Sequence, residues 1–492
     1  MNPQTIESHY ARLPGHFYAR LAPTPVSKPE LVVVNHVLGE ELGVDSTWLT
    51  SADGLAVLSG NSLLKDSHPL AQAYAGHQFG QWVPQLGDGR ALLLGEVRDR
   101  RGRLRDIQLK GSGPTPFSRG GDGRSSIGPV VREYLGSEAM AALGIPTTRA
   151  LAAVSTGETV QREQPVPGGI LCRVAASHVR IGTFEFFARS GKDDDVRTLA
   201  DFVIQRHYPS CSDQERPYAA LLEQISRRTA QLVSAWMSVG FVHGVMNTDN
   251  LAISGETLDY GPFGFLDTFA PDTAFSYIDR RGRYAWSRQP MIANWNLARL
   301  AECLLPLLDN DPNTALEIGN SVLTAFQANF ESEFHSRLVA KIGLTESSPT
   351  NIELATDLLD RMAENQADMT LLFRALSHLS ARPSEQDATA RKLFNQPDSF
   401  DHWAKNWRTA LAADGQDDSQ RQHAMQAVNP AFIPRNHLAQ RVADAAVNDL
   451  DFAPLHEMLK VFSRPYEEQP EYGHYQQPPQ PDEVVANTFC GT

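Results

Sequence analysis

The sequence predicts an α+β chain in two unequal parts, and three observations carry that prediction. From residue 76 to about 177, apolar residues fall in short runs separated by glycine turns at hairpin spacing, as antiparallel strands do. From about Val196 onward they recur every three or four residues over long stretches, the period of amphipathic helices. Strand-rich sequence followed by helix-rich sequence argues for segregated layers and against alternating βαβ units. At 492 residues the chain also exceeds what one hydrophobic core ordinarily serves, so two or three lobes are expected.

Composition narrows the function classes. A formal net charge of −14 argues against a nucleic-acid or anionic-membrane partner, because both reward a basic surface, so any phosphate site has to be a local basic pocket. No run is long and apolar enough to cross a bilayer, and the first residues lack the plan of a signal peptide; a cytoplasmic protein is expected. The four cysteines, Cys172, Cys211, Cys303 and Cys490, form no C-x-x-C pair, so neither a zinc site nor a disulfide framework is indicated.

Taken in order, residues 1–75 read as an irregular N-terminal extension with one helix near 29–42. Runs 81–86, 91–97 and 104–110 read as an antiparallel meander turned at Gly87-Asp88-Gly89 and Arg100-Arg101-Gly102. The third run delivers Lys110 to a glycine-rich loop, 111–124, that contains Asp122 and Gly123. Ser125 and Ser126 are good N-caps for a helix over 127–143, which carries Glu133 and stops at Gly144. Strands follow at 149–155 and 170–177; the second bears Arg173, and Arg180 comes shortly after. The boundaries drawn are 1–75 for the extension, 76–190 for a strand-rich nucleotide-binding lobe, 191–462 for a helical lobe, and 463–492 for a flexible tail ending near Cys490. Within the helical lobe, helices are expected at 199–206, 218–238, 292–308 and 315–342, then as a series from 352 to 461.

Chemistry concentrates in Gly240–Gly261, GFVHGVMNTDNLAISGETLDYG. Asn247, Asp249 and Asn250 crowd together ahead of an Asp259-Tyr260-Gly261 turn, and oxygen donors of this kind suit Mg²⁺. The arrangement reads as a kinase-type catalytic loop and metal-binding turn, with Lys110 on a strand and Glu133 on the next helix as the partners such sites use to hold phosphates. Val245 occupies the place where a kinase keeps its catalytic Asp. Each piece has a plainer reading. Gly87-Asp88-Gly89-Arg90 alone is a hairpin turn, Lys110 a strand-end lysine, and Arg173 and Arg180 surface arginines. His68, His77 and His243 are expected to bond backbone, and Asp267 to cap a turn. No Walker loop or dinucleotide fingerprint occurs.

Three segments resemble the selenoprotein O family: GHQFGQWVPQLGDGRALLLGE from Gly76, DIQLKGSGPTPFSRGGDGR from Asp106, and GFVHGVMNTDNLAISGETLDYGPFGFLD from Gly240. The match runs over roughly residues 60 to 300, with the helical remainder and the near-terminal Cys490 also fitting. The resemblance implies a protein-kinase-like bilobal fold with a small β-rich lobe, one key helix and a large helical lobe, with ATP reversed in its cleft. It implies transfer of AMP, with Mg²⁺ or Mn²⁺, to Ser, Thr or Tyr hydroxyls of protein substrates; bacterial relatives are also credited with UMP transfer from UTP. Nucleotide contacts so implied fall on Gly87, Gly89, Arg90, Lys110, Asp122, Gly123, Arg173 and Arg180, with Glu133 pairing Lys110. Metal ligands fall on Asn250 and Asp259, the base on Asp249, and the family's selenocysteine position on Cys490, whose redox partner is not evident among the other cysteines. A conventional kinase and an inactive kinase-shaped scaffold stay open as alternatives.

Overall fold

A computed structural model describes residues 6–189, 191 and 193–488. Its strands are β1 (Tyr18–Arg20), β2 (Glu30–Val34), β3 (Leu70–Gln72), β4 (Gly76–Gln78), β5 (Gln81–Val83), β6 (Ala91–Arg98), β7 (Leu104–Lys110), β8 (Ser125–Ser126), β9 (Arg149–Gln161), β10 (Pro165–Ala175), β11 (Phe241–Val242) and β12 (Gly264–Phe265). One sheet takes eight of them in the order β1-β3-β6-β7-β10-β9-β2, with β8 against β10, while β4 pairs with β5 and β11 with β12; every pairing is antiparallel. The β6–β7 hairpin is the one the sequence predicts.

Several expectations about this region fail for local reasons. Gln81–Val83 leaves the meander and pairs with β4 in a separate hairpin, because Phe79 and Gly80 both adopt positive φ and make a tight turn that folds the strand back on its neighbour. Residues 1–75 are no mere extension: β1, β2 and β3 are sheet strands, and the helix expected at 29–42 begins only after β2. Its Val32-Val33-Val34 run is β-branched and takes the sheet edge beside β9. Asn35 then starts helix α1 (His36–Glu41), its side chain accepting the Leu38 N–H at 3.0 Å. The stretch between the strands expected at 149–155 and 170–177 is itself mostly strand, with a register shift between Pro167 and Gly169.

The sheet is covered on both faces. Against one face lie α1, α2 (Ser46–Leu49) and α3 (Ala52–Leu58), whose Leu38, Leu49 and Leu58 pack with Leu94, Leu109, Ile170 and Val174. Against the other lies α4 (Ile127–Ala142), packing Ile127, Val131 and Leu135 on Ala153 and Leu171. Ser126 stands at its N-cap but makes no side-chain cap bond, being committed to β8.

The remaining helices are α5 (Ile181–Arg189), α6 (Asp193–His207), α7 (Pro217–Ser238), α8 (Gln289–Leu308), α9 (Pro312–Lys341), α10 (Pro349–Asn365), α11 (Met369–Leu376), α12 (Ala388–Arg391), α13 (Pro397–Asp414), α14 (Asp418–Val428), α15 (Asn436–Asp449) and α16 (Ala453–Phe462). The helical period is therefore right from α6 onward, while α5 is missed. Proline opens several of these helices, where its absent N–H costs nothing. α7, α8 and α9 share one core, and α15 and α16 close over α4. No helix among the described residues is long and apolar enough to cross a membrane. Composition predicts a mobile end from residue 463, yet its described part packs: Tyr475 is buried beside Phe462, and Thr488 donates its N–H to the Phe275 carbonyl at 2.7 Å. Cys490 lies outside the described residues.

Sheet and helices are joined behind the strands by Arg206 of α6. It bridges Glu96 at 3.0 Å and Asp106 at 2.5 Å and donates to the Ala176 carbonyl, all in a buried setting. Removing one partner from such a group strands the others without solvation, so Arg206→Met is expected to cost about 3–5 kcal/mol in denaturant unfolding. Beside it, burial and Arg206 push the His207 imidazole down to about 3. The unfolded chain binds that proton near pH 6.5 and the folded one does not, so stability is full at neutral pH and falls as pH drops through that window. His207→Asn should flatten the fall in unfolding free energy between pH 6.5 and about 4.

Candidate active site

Strand alternation decides which side chains meet. On β7, Ile107 and Leu109 point into the core shared with α1–α3, which turns Gln108 and Lys110 to the α4 face. On β10 the register sets Arg173 opposite Gln108 and Leu171 opposite Lys110. Arg173 and Lys110 thus share a face and converge on Glu133 of α4. Lys110 Nζ lies 2.6 Å from Glu133 Oε2, and Arg173 holds Glu133 Oε1 through Nε at 3.0 Å and through Nη2.

Asp259 enters from the opposite side. Its Oδ1 accepts from Lys110 Nζ at 3.1 Å and from Arg173 Nη2 at 2.6 Å, and its Oδ2 from Arg180 Nη1 at 3.2 Å. The residue sits at φ 64°, a left-handed conformation that a non-glycine residue keeps only when its surroundings fix it. Three cations therefore converge on two carboxylates. Burial alone would raise the Asp259 acid, but Arg173, Lys110 and Arg180 hold it well below the usual carboxylate range. Glu133 likewise stays low against burial because of Arg173 and Lys110.

Asp249 is held differently. It lies on a single 3-10 turn, Thr248–Asn250, and is buried. Oδ2 accepts from Gln78 Nε2 at 3.3 Å, while Oδ1 has no partner. Its own carbonyl accepts from Arg180 Nη1 at 2.9 Å, so one guanidinium joins Asp249 to Asp259. Gly76 and Gly182 make room for it: a Cβ on Gly76 would stand 2.5 Å from Asp249 Oδ1, and one on Gly182 would stand 2.1 Å from the Ala75 carbonyl. Burial, only partly countered by Arg180, pushes the Asp249 acid up to about 6. Next to it, Asn250 Nδ2 donates to the Val245 carbonyl at 2.9 Å, which leaves Oδ1 as its donor for a ligand. Among the described residues no group of three or more His, Cys, Asp or Glu is placed to hold a metal. The Asn250 amide oxygen and the Asp259 carboxylate fit a divalent ion only if phosphate and water complete its shell, as is usual for Mg²⁺.

The remaining expected residues frame this centre less directly. Gly87 and Gly89 pack on Phe117 of the glycine-rich loop, and their N–H groups go to the Tyr74 and Gly87 carbonyls. The Arg90 carbonyl takes the Gly111 N–H at 2.7 Å and fixes the start of the loop. Gly123 has positive φ and stacks on Gly113; Asp122 is exposed, paired with Arg162 at 2.9 Å. Of the three histidines expected to bond backbone, His243 does, giving its Nε2 to the Leu258 carbonyl at 2.9 Å, whereas His77 bonds the Glu185 carboxylate and His68 is exposed. Asp267 does not cap a turn; it pairs with Arg435, which also holds Asp368.

Four supports escaped the sequence. Glu185 of α5 binds Thr248 Oγ1 and His77 Nδ1, bracing the Asp249 turn. Asn247 Oδ1 accepts from Tyr284 Oη at 2.6 Å and from the Phe79 N–H at 3.0 Å. Tyr260 meets Thr147, and Asp88 stands 4.0 Å from Arg180. Asn247 and Tyr260 stood in the segment the sequence singled out, and Asp88, between two glycines, gave the signal of a turn, but none of these contacts was visible there; Glu185 left no local signal. Cys172, Cys211 and Cys303 are buried and free, and burial pushes the Cys172 thiol up to about 12.

A family model described as "Protein adenylyltransferase SelO" matches residues 3–463. A protein nucleotidyltransferase YdiU of Rhodopseudomonas palustris is 55% identical over 487 residues, covering 99% of each chain. One of Alkalilimnicola ehrlichii is 57% identical over 487 residues, covering 99% of this chain and 98% of its own. One of Rhizobium rhizogenes is 53% identical over 490 residues, covering 100% and 97%.

The unpartnered Asp249 oxygen has a consequence measurable without substrate. An acid raised in the folded state weakens the fold as pH climbs from about 4 to 6, because ionisation then occurs inside the protein. Asp249→Asn should therefore raise the stability of the metal-free protein at pH 7.5 by about 1–3 kcal/mol, and the gain should vanish near pH 4 in thermal melts.

Proposed function

The chain belongs to the SelO family and is a protein nucleotidyltransferase; from that premise we propose that it moves AMP from ATP onto Ser, Thr or Tyr hydroxyls of other proteins, with Asp249 as base. The observation that carries this reading is the convergence of Lys110, Arg173 and Arg180 on Asp259, beside a buried Asp249 with one unpartnered oxygen. We read the sheet with α4 and the helices from α6 onward as the two lobes of a protein-kinase-like fold, the nucleotide lobe taking in β1–β3, with the cleft at this convergence. UMP transfer from UTP with Mn²⁺ belongs to the same proposal, as does a cytoplasmic setting.

The chemistry follows from charge. The acceptor oxygen attacks the α-phosphorus; the bond from that phosphorus to the oxygen bridging to the β-phosphorus breaks, and pyrophosphate leaves with the electron pair. Negative charge accumulates on the leaving group, so fixed cations are most useful there. Lys110 and the two arginines provide them without reorganising, since each is already oriented by a carboxylate. Asn250 and Asp259 would hold Mg²⁺ or Mn²⁺, which when bound neutralises phosphate oxygens. Asp259 now occupies three cations, so an arriving phosphate replaces it as their partner and frees it for a ligand role. Asp249 takes the hydroxyl proton at Oδ1. Val245 stands where a kinase would place its base, and only its backbone carbonyl takes part, orienting Asn250. Gly123, Asp122 and Arg90 form the outer rim of the nucleotide site in this reading.

ATP labelled at the α- or the γ-phosphate tests the proposal: retained α-label means nucleotidyl transfer, γ-label a kinase, and neither an inactive scaffold. Asp259→Ala is expected to lower α-label transfer by about 100- to 1000-fold. Asp249→Ala should depress kcat comparably while leaving the nucleotide Kd within about twofold, and equal loss of both contradicts the base assignment.

A further inference from the structure

We propose that residues 276–291, with the tip of the β4–β5 hairpin, form the docking surface for the acceptor protein and select hydroxyls flanked by acidic side chains. The inference rests on the transferase reading and names its substrate class. The segment reads SYIDRRGRYAWSRQPM, with four arginines, Arg280, Arg281, Arg283 and Arg288, against one acid. That acid, Asp279, is used up internally: its two oxygens accept the N–H groups of Arg283 at 2.8 Å and Tyr284 at 2.7 Å. Among the described residues none of the four guanidinium groups pairs with a carboxylate, in a chain whose net charge is −14. Three large apolar side chains stand exposed among them, Tyr277 at 52%, Ile278 at 65% and Met291 at 59%. Arginine, aromatic and Met side chains are what protein interfaces favour.

Position links this surface to the chemistry. Tyr284 donates to Asn247, two residues before Asp249. The Arg283 guanidinium lies over the Trp295 ring at 4.8 Å and 3.5 Å from where a Cβ of Gly80 would stand, and Gly80 follows shortly after Gln78, which bonds Asp249. A chain lying on this surface would therefore run past the base. A nucleic acid is the poorer occupant, since a long polyanion meets the whole protein's negative field, whereas a short acidic segment meets only the local arginines.

The test uses the full-length protein, Mg²⁺, α-labelled ATP and synthetic peptides with one Tyr flanked by glutamates, by glutamines or by lysines. The glutamate peptide is expected to have a KM about tenfold below the glutamine peptide, the gap closing as salt rises. Arg280→Glu with Arg281→Glu should erase or reverse that order, favouring the lysine peptide, while transfer to the glutamine peptide persists and so reports an intact fold and catalytic centre. Equal KM values for the glutamate and glutamine peptides, or an order the double variant leaves unchanged, would overturn the inference while transfer itself continues. A dimer that the double variant dissolves would also overturn it, by assigning the surface to a second copy. Absence of label on every acceptor, the chain itself included, would strike the transferase reading first and the docking surface with it.

Discussion

The carboxylate of Asp259 is the junction on which the site depends. It alone touches Lys110 and Arg173 from the sheet and Arg180 from the segment entering α5, so it draws into one place groups separated by up to 149 positions in the chain. Without it, Lys110 and Arg173 would share Glu133 alone and buried Arg180 would keep only Asp88, at 4.0 Å, as a carboxylate neighbour; the penalty for an underpaired buried charge is several kcal/mol. The left-handed backbone at Asp259 is the local cost of aiming that carboxylate, on the order of 1–3 kcal/mol, and the ion pairs outweigh it.

Two carboxylates a short chain distance apart have opposite environments and hence opposite uses. Asp259 is buried among three cations, which hold its proton off. Asp249 is buried with glycine backbone, one amide and an unpartnered oxygen, and its acid is raised to about 6. A permanently ionised group suits the holding of cations; one whose acid lies nearer neutrality suits the acceptance of a proton. The contrast is set by neighbours, since both residues are aspartates on adjoining loops.

The chain's acidity is also unevenly spent. Several arginines of the interior are matched by carboxylates, as with Arg206 on Glu96 and Asp106, Arg173 on Glu133, and Arg435 on Asp267 and Asp368. Around 280–288 that matching stops. Elsewhere on the surface Arg98, Arg391 and Arg464 have carboxylate partners too, so the unpaired arginines of 280–288 stand apart as charge open to another molecule.

Much of the site was legible in the sequence because its parts lie in short, glycine-bounded segments whose residue types carry chemistry: Lys110 at a strand end, Glu133 on the next helix, and Asn250 and Asp259 around a turn. Hairpin spacing and the 3.6-residue period likewise placed β6, β7, α4 and α7–α9 close to their true bounds. Both signals are local, arising from one turn or one helix face. What the tertiary structure decided were the contacts between distant segments. The recruitment of β1, β2 and β3 into the sheet joins segments that carry no common local pattern, and the bracing of Thr248 by Glu185 and His77 and the closing of Arg180 on both aspartates join residues 63 or more positions apart. No pattern in the nearby chain records such pairings. They are chosen by which surfaces remain apolar, and by which buried charges lack a partner, once the elements have packed.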